Sequence, residues 1–153
     1  MSLTRLTWLA CFLTSLAFLG CANAERTKVT SVKRVYIENT RLSTNTTVEM
    51  ITPAVLDKIA MELTRHGYVV VSSKASAEGV LRMSWMTGIS SSNSQGDCPL
   101  SLSMTLFNLK GKRIFSGNTG PAIPSSFWTQ SRANAEVAMM LAPMPSAVSA
   151  VQP

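Results

Sequence analysis

Hydrophobic and polar residues alternate most strictly over Leu100–Leu106, where Leu100, Leu102, Met104 and Leu106 are separated by Ser101, Ser103 and Thr105. A period of two puts the apolar set on one face and the hydroxyls on the other, which predicts a half-exposed antiparallel strand. Gly79–Thr87 follows the same rule, with Leu81, Met83 and Trp85 opposed to Val80, Arg82 and Ser84. Lys110-Gly111-Lys112 is a turn that sends the chain back through Arg113–Gly117, so a hairpin is expected there. Upstream, Val32–Glu38 is rich in β-branched and aromatic residues and reads as a strand with Val35 and Ile37 on one face. Tyr68–Ser72 is apolar without interruption, the pattern of a strand covered on both faces.

The period changes to helical between Val32–Glu38 and Tyr68–Ser72. Leu56, Ile59, Ala60 and Leu63 recur at three- and four-residue steps, with Asp57, Lys58, Glu62 and Arg65 elsewhere around the axis. Thr52 is a capping residue and Pro53 suits a first helical position, while Gly67 after His66 is a stop signal, so the helix is predicted over 53–66. Asn39–Thr47 is a loop by composition, and its Asn45-Thr46-Thr47 sequon matters only in a eukaryotic host. Gly88–Gly96 reads as a flexible tip. Beyond Gly120, Pro121 and Pro124, a short helix is predicted over 131–141, stopped by Pro143 and Pro145. The fold class is therefore α+β. One amphipathic helix packs on a mixed, largely antiparallel sheet in the order β-α-β-β-β-β, with a short C-terminal helix.

The first 24 residues have a different character. Arg5 precedes Leu6–Leu19, 14 residues without a charge. As a helix that run would be about 21 Å long, short of the roughly 30 Å hydrocarbon core, so it reads as the apolar region of a secretory leader. Two processing sites overlap. Ala22-Asn23-Ala24 is a small-x-small site that would release a soluble chain beginning at Glu25. Ala17-Phe18-Leu19-Gly20-Cys21 resembles the bacterial lipobox, although Phe18 and Leu19 depart from its commonest form. That resemblance implies cleavage between Gly20 and Cys21, acylation of Cys21 and, because Ala22 follows the cysteine, sorting to the outer membrane. The expected organisation is a leader over 1–20 (or 1–24), a tether over 21–30, one α+β domain over 31–142 and a flexible tail over 143–153.

Composition narrows the chemistry. A chain of 153 residues, 46% hydrophobic and 14% charged, fits a single folded domain, and no segment recurs at a fixed period. Removal of Arg5 with the leader leaves 13 basic against 8 acidic residues, a net of +5. For an exported chain the natural counterpart of that excess is an anionic lipid or glycolipid rather than nucleic acid. Cys11 leaves with the leader and Cys21 is acylated or removed, so Cys98 is the one thiol retained. An intrachain disulfide is thereby excluded, leaving an inert buried thiol or a bond to a partner chain.

Catalytic signals are thin. His66 is the only histidine and stands at a helix end, where charge–dipole compensation or simple exposure accounts for it. One histidine and one retained cysteine fall short of a zinc site. Neither a Gly-x-Ser-x-Gly elbow nor a glycine-rich phosphate loop occurs. Neither catalysis, a cofactor nor a metal is expected. Phe127, Trp128, Met139 and Met140 are the candidate docking surface, the alternative being that they cap an open edge of the sheet.

Two segments carry a family resemblance. Arg65–Val71 (RHGYVVV), an alanine/serine turn and Gly79–Trp85 (GVLRMSW) resemble the LptE-like and uncharacterised lipoproteins of the Gram-negative envelope. The pattern spans residues 32–117 as a succession of element types rather than as a signature motif. The resemblance implies a non-catalytic accessory or assembly subunit, lipid-anchored on the periplasmic face of the outer membrane, whose partner is an outer-membrane or secretion complex. The alternative is a soluble periplasmic binding protein for a small ligand or an anionic glycolipid, released by cleavage after Ala24.

Overall fold

The computed structural model describes residues 29–40, 45–87 and 98–147. Its elements are β1 (Val29–Thr30), β2 (Arg34–Thr40), α1 (Thr46–Arg65), β3 (Val69–Val71), β4 (Gly79–Thr87), β5 (Pro99–Asn108), β6 (Arg113–Asn118), β7 (Ile123–Pro124), α2 (Gln130–Leu141) and β8 (Ser146–Ala147). The main sheet runs β3-β2-β4-β5-β6, with β7 beside β5. β2 lies parallel to both β3 and β4, whereas β5 runs antiparallel to its two neighbours, β4 and β6. This is the expected mixed sheet with an amphipathic helix and a C-terminal helix.

The alternating strands carry the core. Leu81, Met83 and Trp85 of β4 and Leu100, Leu102, Met104 and Leu106 of β5 are all buried. Val55, Ile59 and Leu63 of α1 and Ala133, Val137 and Leu141 of α2 meet them on that one face. Burying a side chain of this size is worth roughly 1.5–3 kcal/mol, so the facing stripes of sheet and helices hold the layers together.

Three expectations are corrected. The helix begins at Thr46, not Pro53, because the Asn45 side chain accepts from the Thr47 amide at 2.9 Å and caps it. Pro53 therefore lies inside the helix, and Thr52, one residue before it, turns its hydroxyl back onto the Val48 carbonyl instead of capping. The Gly67 stop stands as expected: with φ +83° it donates to the Thr64 carbonyl, and Tyr68 to the Leu63 carbonyl.

The second correction concerns the Val69–Val71 run. It forms the edge strand β3, with Val69 exposed and Val70 and Val71 half-buried, rather than a doubly covered strand. Its apolar character is spent on a short edge.

The third concerns the ends. β1 pairs in parallel with β8, Met144 and Pro145 are buried, and the buried Tyr68 hydroxyl donates to the Pro145 carbonyl. The folded unit thus takes in Val29–Thr30 from the expected tether and 143–147 from the expected tail. Paired backbone and a buried hydroxyl outweigh the turn-rich composition that suggested a loose end. The rest of the tether and tail, the leader and the 88–96 tip lie outside the described residues.

Candidate functional site

Both helices cover the same face of the sheet, so the residues of opposite parity face away from them. β2 contributes Glu38 to the uncovered face, β4 Arg82 and Ser84, and β5 Ser103, Thr105 and Phe107. These line a shallow groove of about 490 Å³. The Ser84 and Ser103 hydroxyls stand 2.8 Å apart across the β4–β5 ladder. Strict alternation in β5 leaves hydroxyls on this side for the same reason that it places leucines on the other.

Charge is organised on this face. Glu38 receives the Lys74 ammonium at one carboxylate oxygen and the Arg82 guanidinium at the other, each at 2.7 Å. The hydrogen bond from Lys74, then that from Arg82, holds the Glu38 carboxyl below its ordinary value. The guanidinium of Arg82 also lies over the Phe107 ring, 5.4 Å from its centre. Lys74 and Arg82 are thus held by Glu38 and give the face a fixed, paired centre.

A second feature lies at the end of the sheet where β2 and β4 begin and β5 ends. Asn108 builds the β5–β6 turn: its side-chain oxygen accepts from the Lys110 and Lys112 amides at 3.0 and 2.9 Å, and its own amide donates to the Lys112 carbonyl. Gly111 takes φ +75° there, a conformation that favours glycine. The turn presents Leu109, which is 66% exposed, with Lys110, Lys112 and Arg113. Lys33 and Arg34 are exposed at the same end, where Glu78 accepts from both of their amides and from the Arg34 side chain. The hydrogen bond from the Lys33 amide is the main reason that the Glu78 carboxyl is held below its ordinary value. Thr30 and Ser31 share a cleft with Lys112 and Arg113, so β1 enters the fold beside this hairpin.

The four docking candidates separate. Phe127 and Met139 are 59% and 62% exposed, whereas Trp128 and Met140 are 3% and 7% exposed and belong to the core. The Trp128 indole N–H donates to the Leu100 carbonyl at 3.3 Å, and its ring meets Trp85 edge-to-face with centroids 4.9 Å apart. A short 3₁₀ turn over Ser125–Phe127 and the α2 helix turn alternate members of each pair inward. Adjacent apolar residues in a segment without a clear period gave no sign of this division.

Cys98 is exposed at the start of β5, which corrects the reading of it as a buried thiol. His66 is half-buried at the end of α1, where its carbonyl accepts from the Ala147 amide. Among the described residues no group of three or more His, Cys, Asp or Glu side chains is placed to hold a metal ion. No described helix is long and apolar enough to cross a membrane. Gly20, Cys21, Ala24 and Glu25 lie outside the described residues. The sequence pattern placed the hydroxyl face of β5 and the hairpin, but not the Glu38–Lys74–Arg82 centre or the gathering of Lys33 and Arg34 beside the hairpin. The alternation in β5 and the Lys-Gly-Lys turn were the signals for the first two.

No protein-family model matches the chain, and no curated protein matches it. Solved structures do. The fold is similar to that of PelC from Paraburkholderia phytofirmans, a dodecamer, in a C2 crystal form at TM-score 0.51 and 16% identity, over 74% of this chain and 88% of that one. The P6 form gives TM-score 0.50 at 15% identity, over 74% and 87%. Weaker likenesses are to a DUF330 protein of Xanthomonas campestris (TM-score 0.37, 12% identity, 73% and 78% covered) and a minor lipoprotein of Acinetobacter baumannii (0.33, 16%, 71% and 79%). At these identities the PelC likeness shows a shared fold and nothing finer.

Proposed function

We propose that the chain is a lipid-anchored protein of the Gram-negative envelope that works by contact, as a non-catalytic accessory or assembly subunit held at the outer membrane through Cys21. The observation that carries this reading is the one-sided cover of the sheet. Helices occupy one face, and the other presents a broad, shallow surface of hydroxyls around the Glu38–Lys74–Arg82 centre. Such a surface suits a partner that lies across it better than a small ligand, which favours an enclosed pocket.

Assembly with further copies is part of the proposal. PelC, whose fold this chain shares, is a dodecamer. The open β3 edge and the exposed Met50, Met61 and Met139 on the helices offer uncovered backbone and apolar area for such contacts.

The test has two arms. Cys21→Ser moves the protein from the membrane to the soluble fraction if the cysteine carries the anchor; continued membrane retention contradicts the reading. Light scattering of the detergent-extracted protein reports a multimer or a defined complex. A monodisperse monomer that captures nothing from its own membranes contradicts the accessory role and favours the soluble binding protein.

A further inference from the structure

The basic residues are scattered in sequence but gathered in the fold. Lys33, Arg34, Lys110, Lys112 and Arg113 lie at the end of the sheet where β2 starts and the β5–β6 hairpin turns. Glu78 is the carboxylate bonded among them, and it is engaged by Arg34 and two backbone amides. Among the described residues no carboxylate pairs with Lys110, Lys112 or Arg113. Leu109 projects from the same turn, 66% exposed, with its backbone fixed by Asn108. An exposed leucine next to exposed cations on one hairpin is complementary to a bilayer surface. A leucine so placed suits the headgroup layer, and the cations suit its phosphates.

The entry point of the chain lies at the same end. Thr30 and Ser31 line one cleft with Lys112 and Arg113. From Cys21 to Val29 the chain advances eight residues, which reach at most about 30 Å when fully extended. If Cys21 is acylated, this end of the domain is kept within that distance of the lipid.

We propose that the Leu109–Arg113 hairpin is a second membrane contact, selective for anionic phospholipid, that orients the domain with its β2–β4 starting end against the bilayer. The orientation rests on the anchored reading, but the lipid contact itself does not. It is therefore tested on the chain beginning at Glu25, which lacks an acyl group and retains every described residue.

Flotation is measured with vesicles of phosphatidylcholine and of phosphatidylcholine mixed with phosphatidylglycerol. The protein is expected to float with the anionic vesicles only, and less so as salt rises. Each lysine replaced is expected to lower partitioning about five-fold, so Lys110→Gln with Lys112→Gln lowers it by more than ten-fold. Leu109→Ser weakens binding to anionic vesicles with the salt dependence retained. Because these side chains are exposed, far-UV circular dichroism should be unchanged in every variant. Equal flotation on both vesicle types, no flotation on either, or an unaffected lysine double variant overturns the proposal. The mass of the mature N-terminus tests the anchor separately, so either idea can fail alone.

Discussion

Trp128 and Phe127 are neighbours in sequence with opposite places in the fold, and truncating each tests the packing account. Trp128→Ala removes a 3%-exposed indole that meets Trp85 edge-to-face and donates to the Leu100 carbonyl. Deleting a buried aromatic of this kind costs about 3–5 kcal/mol, which includes the cavity left behind. The lost edge-to-face pair and the unpaired carbonyl place the value toward the upper part of that range. Phe127→Ala removes a ring that is 59% exposed and should cost less than about 1 kcal/mol. Equilibrium unfolding in urea separates the two. With a slope of about 2 kcal/mol per molar, Trp128→Ala lowers the midpoint by roughly 2 M and Phe127→Ala by less than about 0.5 M. Equal shifts, or a Trp128→Ala loss below about 1 kcal/mol, would refute the assignment of Trp128 to the core.

Three further outcomes follow from single contacts. A Cβ on Gly79 would lie 2.8 Å from the Phe107 carbonyl and 2.8 Å from a Val32 methyl, so Gly79→Ala should destabilise by about 1–3 kcal/mol, read as a lowered melting temperature. Burial pushes the Tyr68 hydroxyl up to about 12 from 10.0, so the neutral form is favoured in the fold. Its contribution is complete below pH 10 and is lost as pH rises toward 12; Tyr68→Phe should remove that alkaline loss while costing about 1–3 kcal/mol at neutral pH for the orphaned Pro145 carbonyl. Glu78 is held below the ordinary value of 4.5, so its ionised form stabilises the fold above that pH and the benefit fades as acidity carries it through its folded value. Glu78→Gln should therefore be less stable than wild type at pH 7, with the gap closing below pH 4.5; a gap that widens in acid contradicts the hydrogen-bonded carboxylate.

Much of the fold was legible because period and position agreed. The alternation in Leu100–Leu106 and Gly79–Thr87 maps onto the buried faces of β5 and β4, and Leu56–Leu63 onto the core-facing stripe of α1. What escaped the sequence depended on partners far along the chain. Val69–Val71 is as apolar as a central strand, but strand order leaves it at an edge. Ser146–Ala147 looked like tail until β1, more than a hundred residues earlier, supplied its pairing partner. Pro53 drew the helix start toward itself, although a polar side chain at Asn45 caps it about two turns upstream. The candidate surface was half legible: the hydroxyl face of β5 was expected, whereas the Glu38–Lys74–Arg82 centre joins three elements that only the tertiary structure brings together.

Anchoring at Cys21 is tested most directly by the chemistry of the mature N-terminus. Intact-mass measurement of protein extracted from membranes should find a chain that begins at Cys21 and carries the added mass of acyl chains. An unmodified chain that begins at Glu25 and is recovered from the soluble fraction contradicts it.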